Sequence, residues 1–168
     1  ITNDEISDEY LMELVTKHFN AVTFGNELKP DCLFGYSSKC PEKETITFNG
    51  VQMEVPMLDY SKPEMMLDAI LEWNENNPDD FISVRGHVLV WHSQTPEWFF
   101  CKDYDVDNGY VDKDTMTLRQ EWFIKTVLEH FTGDDSKYKD LFYGWDVVNE
   151  AVSDGRGTYR NGDENSTW

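Results

Sequence analysis

Basic residues are scarce in this 168-residue chain: 14 Lys and Arg stand against 33 Asp and Glu, a formal net charge of −19. So acidic a surface repels phosphate backbones, which excludes nucleic acid as a partner. Long apolar runs are missing too. No stretch reaches the ~20 consecutive apolar residues of a membrane span, and the opening ITNDEISDEY has neither the basic start nor the apolar core of a signal peptide. No membrane partner is expected. The 3 cysteines, Cys32, Cys40 and Cys101, match no metal-ligand spacing. They read as free or half-buried thiols, although Cys32 and Cys40 are close enough in sequence to bridge. With no internal repeat and no low-complexity linker, nothing divides residues 1–168 into two domains.

What is present is an alternation of helix and strand. Leu11, Leu14 and Val15 stand at helical spacing within residues 7–18, and Phe19 to Phe24 follows as a short strand. Ser61-Lys62-Pro63-Glu64 has the form of a capping box with an early proline. From there Met66, Leu67, Ile70, Leu71 and Trp73 carry a helix to the Asn-Pro stop at 77 and 78. The next strand spans Phe81 to Trp91, where Val84, Val88, Leu89 and Val90 form the near-continuous apolar run of a strand buried on both faces. A helix over 117–131 places Trp122, Ile124, Val127, Leu128 and Phe131 in the core, and Leu141 to Asn149 is the strand after it. The segment 95–116 is long for a connection, and long loops of this kind are commonly functional.

The order α, β, α, β, α, β indicates parallel βαβ units with right-handed crossovers, whose sites gather at the carboxyl ends of the strands. Three strands are too few for a closed (β/α)8 TIM barrel, which takes roughly 250 residues. The expected fold is therefore part of such a barrel. Residues 1–168 would be its N-terminal portion, from helix 1 to just beyond strand 4, completed by a missing or separate segment and by one strand before the first helix.

Two strands end in side chains suited to chemistry. Trp145-Asp146-Val147-Val148-Asn149 delivers Glu150 to the end of an apolar run, as acid/base catalysis requires. Arg85-Gly86-His87-Val88-Leu89-Val90-Trp91-His92-Ser93-Gln94 has the same design, ending in aromatic and hydrogen-bonding groups. Plainer readings stand beside these. A strand-end Glu150 also fits a helix cap, and Lys29 a solvated lysine. His87 and His92, five residues apart on one strand, point to opposite faces and do not chelate a metal together. Trp91 and Trp98 fit the core as well as a sugar platform. Asp103, Asp105 and Asp107 alternate as in a calcium loop, but the required glycine is displaced from position 108 to Gly109, and a solvated acidic loop is expected.

Three segments, FNAVTFGNELK, RGHVLVWHSQTPEWF and GWDVVNEAVSDG, resemble the leading motifs of the family 10 glycoside hydrolases, the retaining endo-β-1,4-xylanases built on a (β/α)8 barrel. The likeness runs over nearly the whole chain in the family's order. It implies Glu150 as general acid/base and Asn149 as the partner of the sugar 2-hydroxyl. It likewise implies that Lys29, His87, Trp91 and Gln94 hold the sugar beside the cleavage point, with Asn26 reaching the next one. Where the family usually has an acidic residue before that Asn, this chain has Gly25, which implies weaker binding at the distal subsite. Xylan or a xylo-oligosaccharide is the implied partner, a secreted location is implied with it, and no cofactor or metal is expected.

The family's nucleophilic glutamate lies on a later strand, in a segment with no counterpart here. Asp146, four residues before Glu150, lies roughly 13 Å away along a strand, far beyond the ~5–5.5 Å of a retaining pair. The resemblance therefore implies an acid/base-bearing portion that is inactive alone and needs a complementary C-terminal segment or chain to supply the nucleophile. The alternatives are a non-catalytic polysaccharide-binding module or an inactive barrel fragment.

Overall fold

A computed structural model describes residues 1–162 and 166–168. A short α1 (Asn3–Ile6) and α2 (Glu9–His18) precede β1 (Ala21–Thr23). The Asp8 carboxylate accepts from Leu11 N and caps α2. One-turn α3 (Pro30–Leu33) leads to a hairpin of β2 (Lys43–Phe48) and β3 (Val51–Pro56), then to α4 (Ser61–Asn76). Strands β4 (Ser83–Gly86) and β5 (Val90–Trp91) follow, and α5 (Lys113–Thr132) leads to β6 (Phe142–Trp145) and β7 (Val148–Asn149). The segment between β5 and α5 holds three 3-10 turns, at Glu97–Phe100, Lys102–Tyr104 and Val106–Asn108.

Strands β1, β4 and β6 pair side by side in parallel, and β5 pairs with β7 in a second short parallel ladder. The two long strands expected from the apolar runs are thus each divided. Between β4 and β5 the chain turns through His87, Val88 and Leu89, where the His87–Val88 peptide is cis. Val88 and Leu89 are fully buried, so the apolar run is real but its pairing is not continuous. The expected capping box at Ser61 does not form. Ser61 is the first helical residue, and its amide and hydroxyl both donate to Asp59 Oδ1, at 2.9 and 2.6 Å.

The hairpin adds an element absent from the expected alternation. Asn49 and Gly50, both with positive φ, make the two-residue turn that Asn-Gly favours between right-twisted strands. Tyr104 Oη donates to the Glu54 carbonyl and ties the hairpin to the long loop.

One face of the sheet carries Val84 into an apolar cluster with Met66, Leu67 and Ile70 of α4 and Phe123, Val127 and Phe131 of α5. Each such side chain, when fully buried, contributes about 1.5–3 kcal/mol. Phe34 joins this core to Trp98, Phe99 and Phe123 with ring centroids 4.9–5.3 Å apart. Trp98 and Trp122 are both core residues. Beneath Trp145 only a glycine fits, since a Cβ on Gly86 would come within 2.1 Å of the indole. Tyr143 and Arg85 instead remain exposed to solvent.

The turn from α4 into β4 is closed by one buried amide. Asn74 Nδ2 donates to the Ile82 carbonyl at 2.9 Å, and Ile82 N donates to Asn74 Oδ1 at 2.8 Å. Replacing Asn74 with Ala leaves both backbone groups unpaired in the interior. We expect Asn74→Ala to lower unfolding free energy by about 2–3 kcal/mol. The exposed Asn76→Ala should stay within about 0.5 kcal/mol of the parent in the same urea titration. Equal effects would show that the Asn74 bridge contributes nothing particular.

Candidate active site

Parallel pairing brings three loops together at the carboxyl ends of the strands. The first follows β1 and carries Asn26 and Lys29. Glu27 is buried there, and its carboxylate accepts from the Asn3 and Asn26 amides, both at 3.0 Å, which holds the loop against α1. Lys29 is only 8% exposed. Its ammonium donates to Asn26 Oδ1 at 3.0 Å and Gln94 Oε1 at 2.7 Å, and lies 5.0 Å above the Trp91 ring. Gln94 Nε2 also reaches Asn26 Oδ1, at 3.2 Å. Desolvation pulls the Lys29 pKa below the ordinary lysine value, while Glu27 and Asp31 oppose that shift.

From the second loop, Trp91 Nε1 donates to Glu150 Oε2 at 2.9 Å. Glu150 has a φ of 52°, so the chain turns sharply just after β7 and leaves its carboxyl half-exposed at the sheet's end. Asn149 pairs opposite Trp91 in the β5–β7 ladder. Six of the residues marked from the sequence thus join through contacts or register: Asn26, Lys29, Gln94, Trp91, Asn149 and Glu150. His87 completes the set, its ring centroid 6.5 Å from that of Trp91.

Three contributors lie outside the expected set. His92 places Nδ1 3.7 Å from Glu150 Oε2 and has no hydrogen-bond partner for that atom among the described residues. The two histidines do not lie along one continuous strand, and they turn to different carboxylates. Trp168 packs on Phe99 and Phe100, and its Nε1 donates to the Trp91 carbonyl at 2.8 Å. Asp146, far from serving as a second catalytic carboxylate, lies between Arg85 and His87. Arg85 Nη2 approaches Asp146 Oδ1 at 2.5 Å, and His87 Nδ1 lies 2.8 Å from Oδ2. Burial alone would raise the Asp146 pKa, but hydrogen bonds and charge from Arg85 and His87 outweigh it and hold the carboxyl below the usual aspartate range.

Elsewhere Asp105 caps its own turn by accepting from Asp107 N. Among the described residues no group of three His, Cys, Asp or Glu converges for a metal ion, and no helix is long and apolar enough to cross a membrane. Cys32, Cys40 and Cys101 are free thiols. The cluster at the strand ends combines one half-exposed carboxyl, an indole face and a set of amide, ammonium and imidazole groups. Chemically, it suits a ligand rich in hydroxyls and a proton transfer at Glu150.

The sequence pattern of glycosyl hydrolase family 10 matches residues 1–168, the whole chain. Endo-1,4-beta-xylanase A of Butyrivibrio fibrisolvens is 33% identical over 155 residues, covering 88% of this chain and 36% of that protein. Endo-1,4-beta-xylanase A of Thermotoga maritima is 34% identical over 157 residues, covering 94% of this chain and 12% of that protein. A Clostridium thermocellum xylanase structure with carbohydrate-binding and family 10 modules, complexed with xylohexaose, matches at TM-score 0.71 and 28% identity, covering 96% of this chain and 30% of that one. An intracellular xylanase from Thermoanaerobacterium saccharolyticum, complexed with xylotetraose, matches at TM-score 0.69 and 28% identity, covering 100% of this chain and 42% of that one. The chain therefore spans less than half the length of each, and its three-stranded sheet is part of a (β/α)8 barrel.

A depressed carboxyl pKa ties stability to pH with a definite sign. The contribution of Asp146 is present above the unfolded aspartate value, about 3.9, and is lost as pH falls through its lower folded value. Thermal melting of Asp146→Asn beside the parent should therefore show a gap near neutrality that closes below about pH 4. A gap unchanged down to pH 3 would contradict the ion pair.

Proposed function

This chain belongs to glycosyl hydrolase family 10, and we propose that it is the acid/base-bearing part of an endo-1,4-β-xylanase that cleaves internal β-1,4-xylosidic bonds with retention. The observation that carries this reading is the placement of Glu150 at the end of β7, with the Trp91 indole N–H on one carboxyl oxygen. With Oε2 engaged by that donor, Oε1 is the oxygen that carries the proton to the departing glycosidic oxygen. Water then attacks the glycosyl-enzyme intermediate, and Glu150 takes the proton back. Asn149 hydrogen-bonds the 2-hydroxyl, where the interaction strengthens as the ring gains oxocarbenium character.

Lys29, Gln94, His87 and Trp91 hold the xylose next to the bond, and Asn26 contacts the one beyond. At Gly25 a Cβ would approach Thr2 Cγ2 at 3.1 Å, so the N-terminal segment lies beside the position where the family usually has an acidic residue. The distal subsite accordingly makes one polar contact fewer. The nucleophile comes from a complementary C-terminal segment, which places a glutamate ~5–5.5 Å from the Glu150 carboxyl. Action outside the cell, on polymeric xylan, belongs to the same proposal. One of the similar structures is of an intracellular enzyme, so export would go with the individual protein rather than with the family.

Two measurements test this. The purified chain alone should release no reducing sugar from xylan, whereas the polypeptide that completes the barrel should do so; hydrolysis by the chain alone would refute the division of roles. In the complete polypeptide, Glu150→Ala should slow substrates with poor leaving groups by ~10²–10⁴ while sparing the glycosylation step of activated aryl xylosides. Equal loss on both substrate classes would remove Glu150 from the acid role. Binding of xylo-oligosaccharide without any cleavage by the complete polypeptide would favour the non-catalytic alternative.

A further inference from the structure

The interruption between β4 and β5 is organised around one residue. Asp146 N donates to the Gly86 carbonyl at 2.9 Å, and Leu89 N donates to the Asp146 carbonyl at 3.1 Å. Its backbone thus grips the chain on both sides of His87 and Val88, while its side chain reaches His87 itself. The second carboxylate oxygen, Oδ1, takes both Nε and Nη2 of Arg85, at 3.1 and 2.5 Å. Both oxygens are therefore directed, and the carboxylate has no freedom to rotate without breaking one pair or the other.

An ionised carboxylate can only accept. In the neutral imidazole the His87–Asp146 contact therefore places the proton on Nδ1 and leaves the other ring nitrogen as an acceptor. We infer that Asp146 is a positioning residue: anchored by Arg85, it selects the Nδ1–H tautomer of His87 so that Nε2 accepts a hydrogen bond from a hydroxyl of the bound sugar. The inference deepens the proposed function and rests on it for the identity of the sugar. The tautomer itself does not depend on that reading. Arg85 keeps Oδ1 occupied so that Oδ2 faces the imidazole.

The isosteric variant Asp146→Asn makes the test sharp. Arg85 retains the amide oxygen, which turns the amide NH2 toward His87 Nδ1 and demands an acceptor there. In long-range ¹H–¹⁵N spectra of the complete barrel polypeptide at alkaline pH, the parent should show His87 protonated on Nδ1 and Asp146→Asn should show it protonated on Nε2. With xylo-oligosaccharide as substrate, kcat/KM should fall about 10–100-fold in Asp146→Asn. The double variant Arg85→Ala/Asp146→Asn frees the amide to flip, so the bias toward Nε2–H should weaken and part of kcat/KM should return. A merely structural role for Asp146 would not make the tautomer follow the amide.

A parent spectrum with the proton on Nε2 overturns the inference, and so does an Asp146→Asn variant with the parent's tautomer and kcat/KM. If a variant fails to fold, the parent's spectrum decides by itself. Absence of xylan cleavage by a parent that shows the Nδ1–H tautomer would count against the proposed function and leave the positioning role standing.

Discussion

Parallel pairing of β1, β4 and β6 is the constraint on which the site depends, because it sends three chain reversals to the same end of the sheet. Antiparallel order would have placed the Lys29 loop and the Glu150 loop at opposite ends. Parallel order in turn requires long crossovers, and α4 and α5 supply them while covering one face with Met66, Ile70, Phe123 and Phe131. Arg85 and Tyr143 lie on the other face, the one that lines the interior of a closed barrel. The packing that stabilises the chain and the chemistry it presents thus occupy different faces and ends of one small sheet.

At the site, buried charge is handled by neutral acceptors and by aromatic surface. Lys29 keeps its ammonium among Asn26, Gln94 and the Trp91 ring, with the Glu27 carboxylate committed to backbone amides next door. Desolvation weakens its hold on the proton. An ammonium held by amide oxygens rather than paired with a carboxylate remains able to donate to a hydroxyl, since no strong ionic partner must first be displaced. Asp146 is the contrasting case, a carboxylate fully engaged by cationic and imidazole donors and so withdrawn from proton transfer.

Helices α4 and α5 were legible because their apolar residues recur at helical spacing, and the order of elements pointed to the parallel sheet. Glu150 was marked by its place at the end of an apolar run, while Asn26, Lys29, His87, Trp91, Gln94 and Asn149 were marked through the likeness of their segments to the family's motifs. The division of the strand at His87 was not, because Val88 and Leu89 are as apolar as the strand they interrupt. That division hides the link between Arg85, Asp146 and His87, for the β4–β6 register also shifts between Val84 and Arg85. The hairpin did leave a signal, the Asn49-Gly50 pair between two alternating segments. Ser61 misled because Asp59, two residues earlier, takes both its amide and its hydroxyl.

That hairpin differs from the rest of the sheet structure in how far the chain must travel to form it. Phe48 meets Val51 across the turn, whereas Ala21 must find Ser83 and Val90 must find Val148. Local closure takes microseconds, while distant parallel pairings wait on much costlier loop closure. An isolated two-stranded ribbon is only marginally stable, so its worth lies in what it is joined to. The carbonyl of Glu54 accepts from Tyr104 and gives the loop that leads into α5 a docking point. The position of one Asn-Gly turn thus makes this ribbon the strand pairing with the least chain to close.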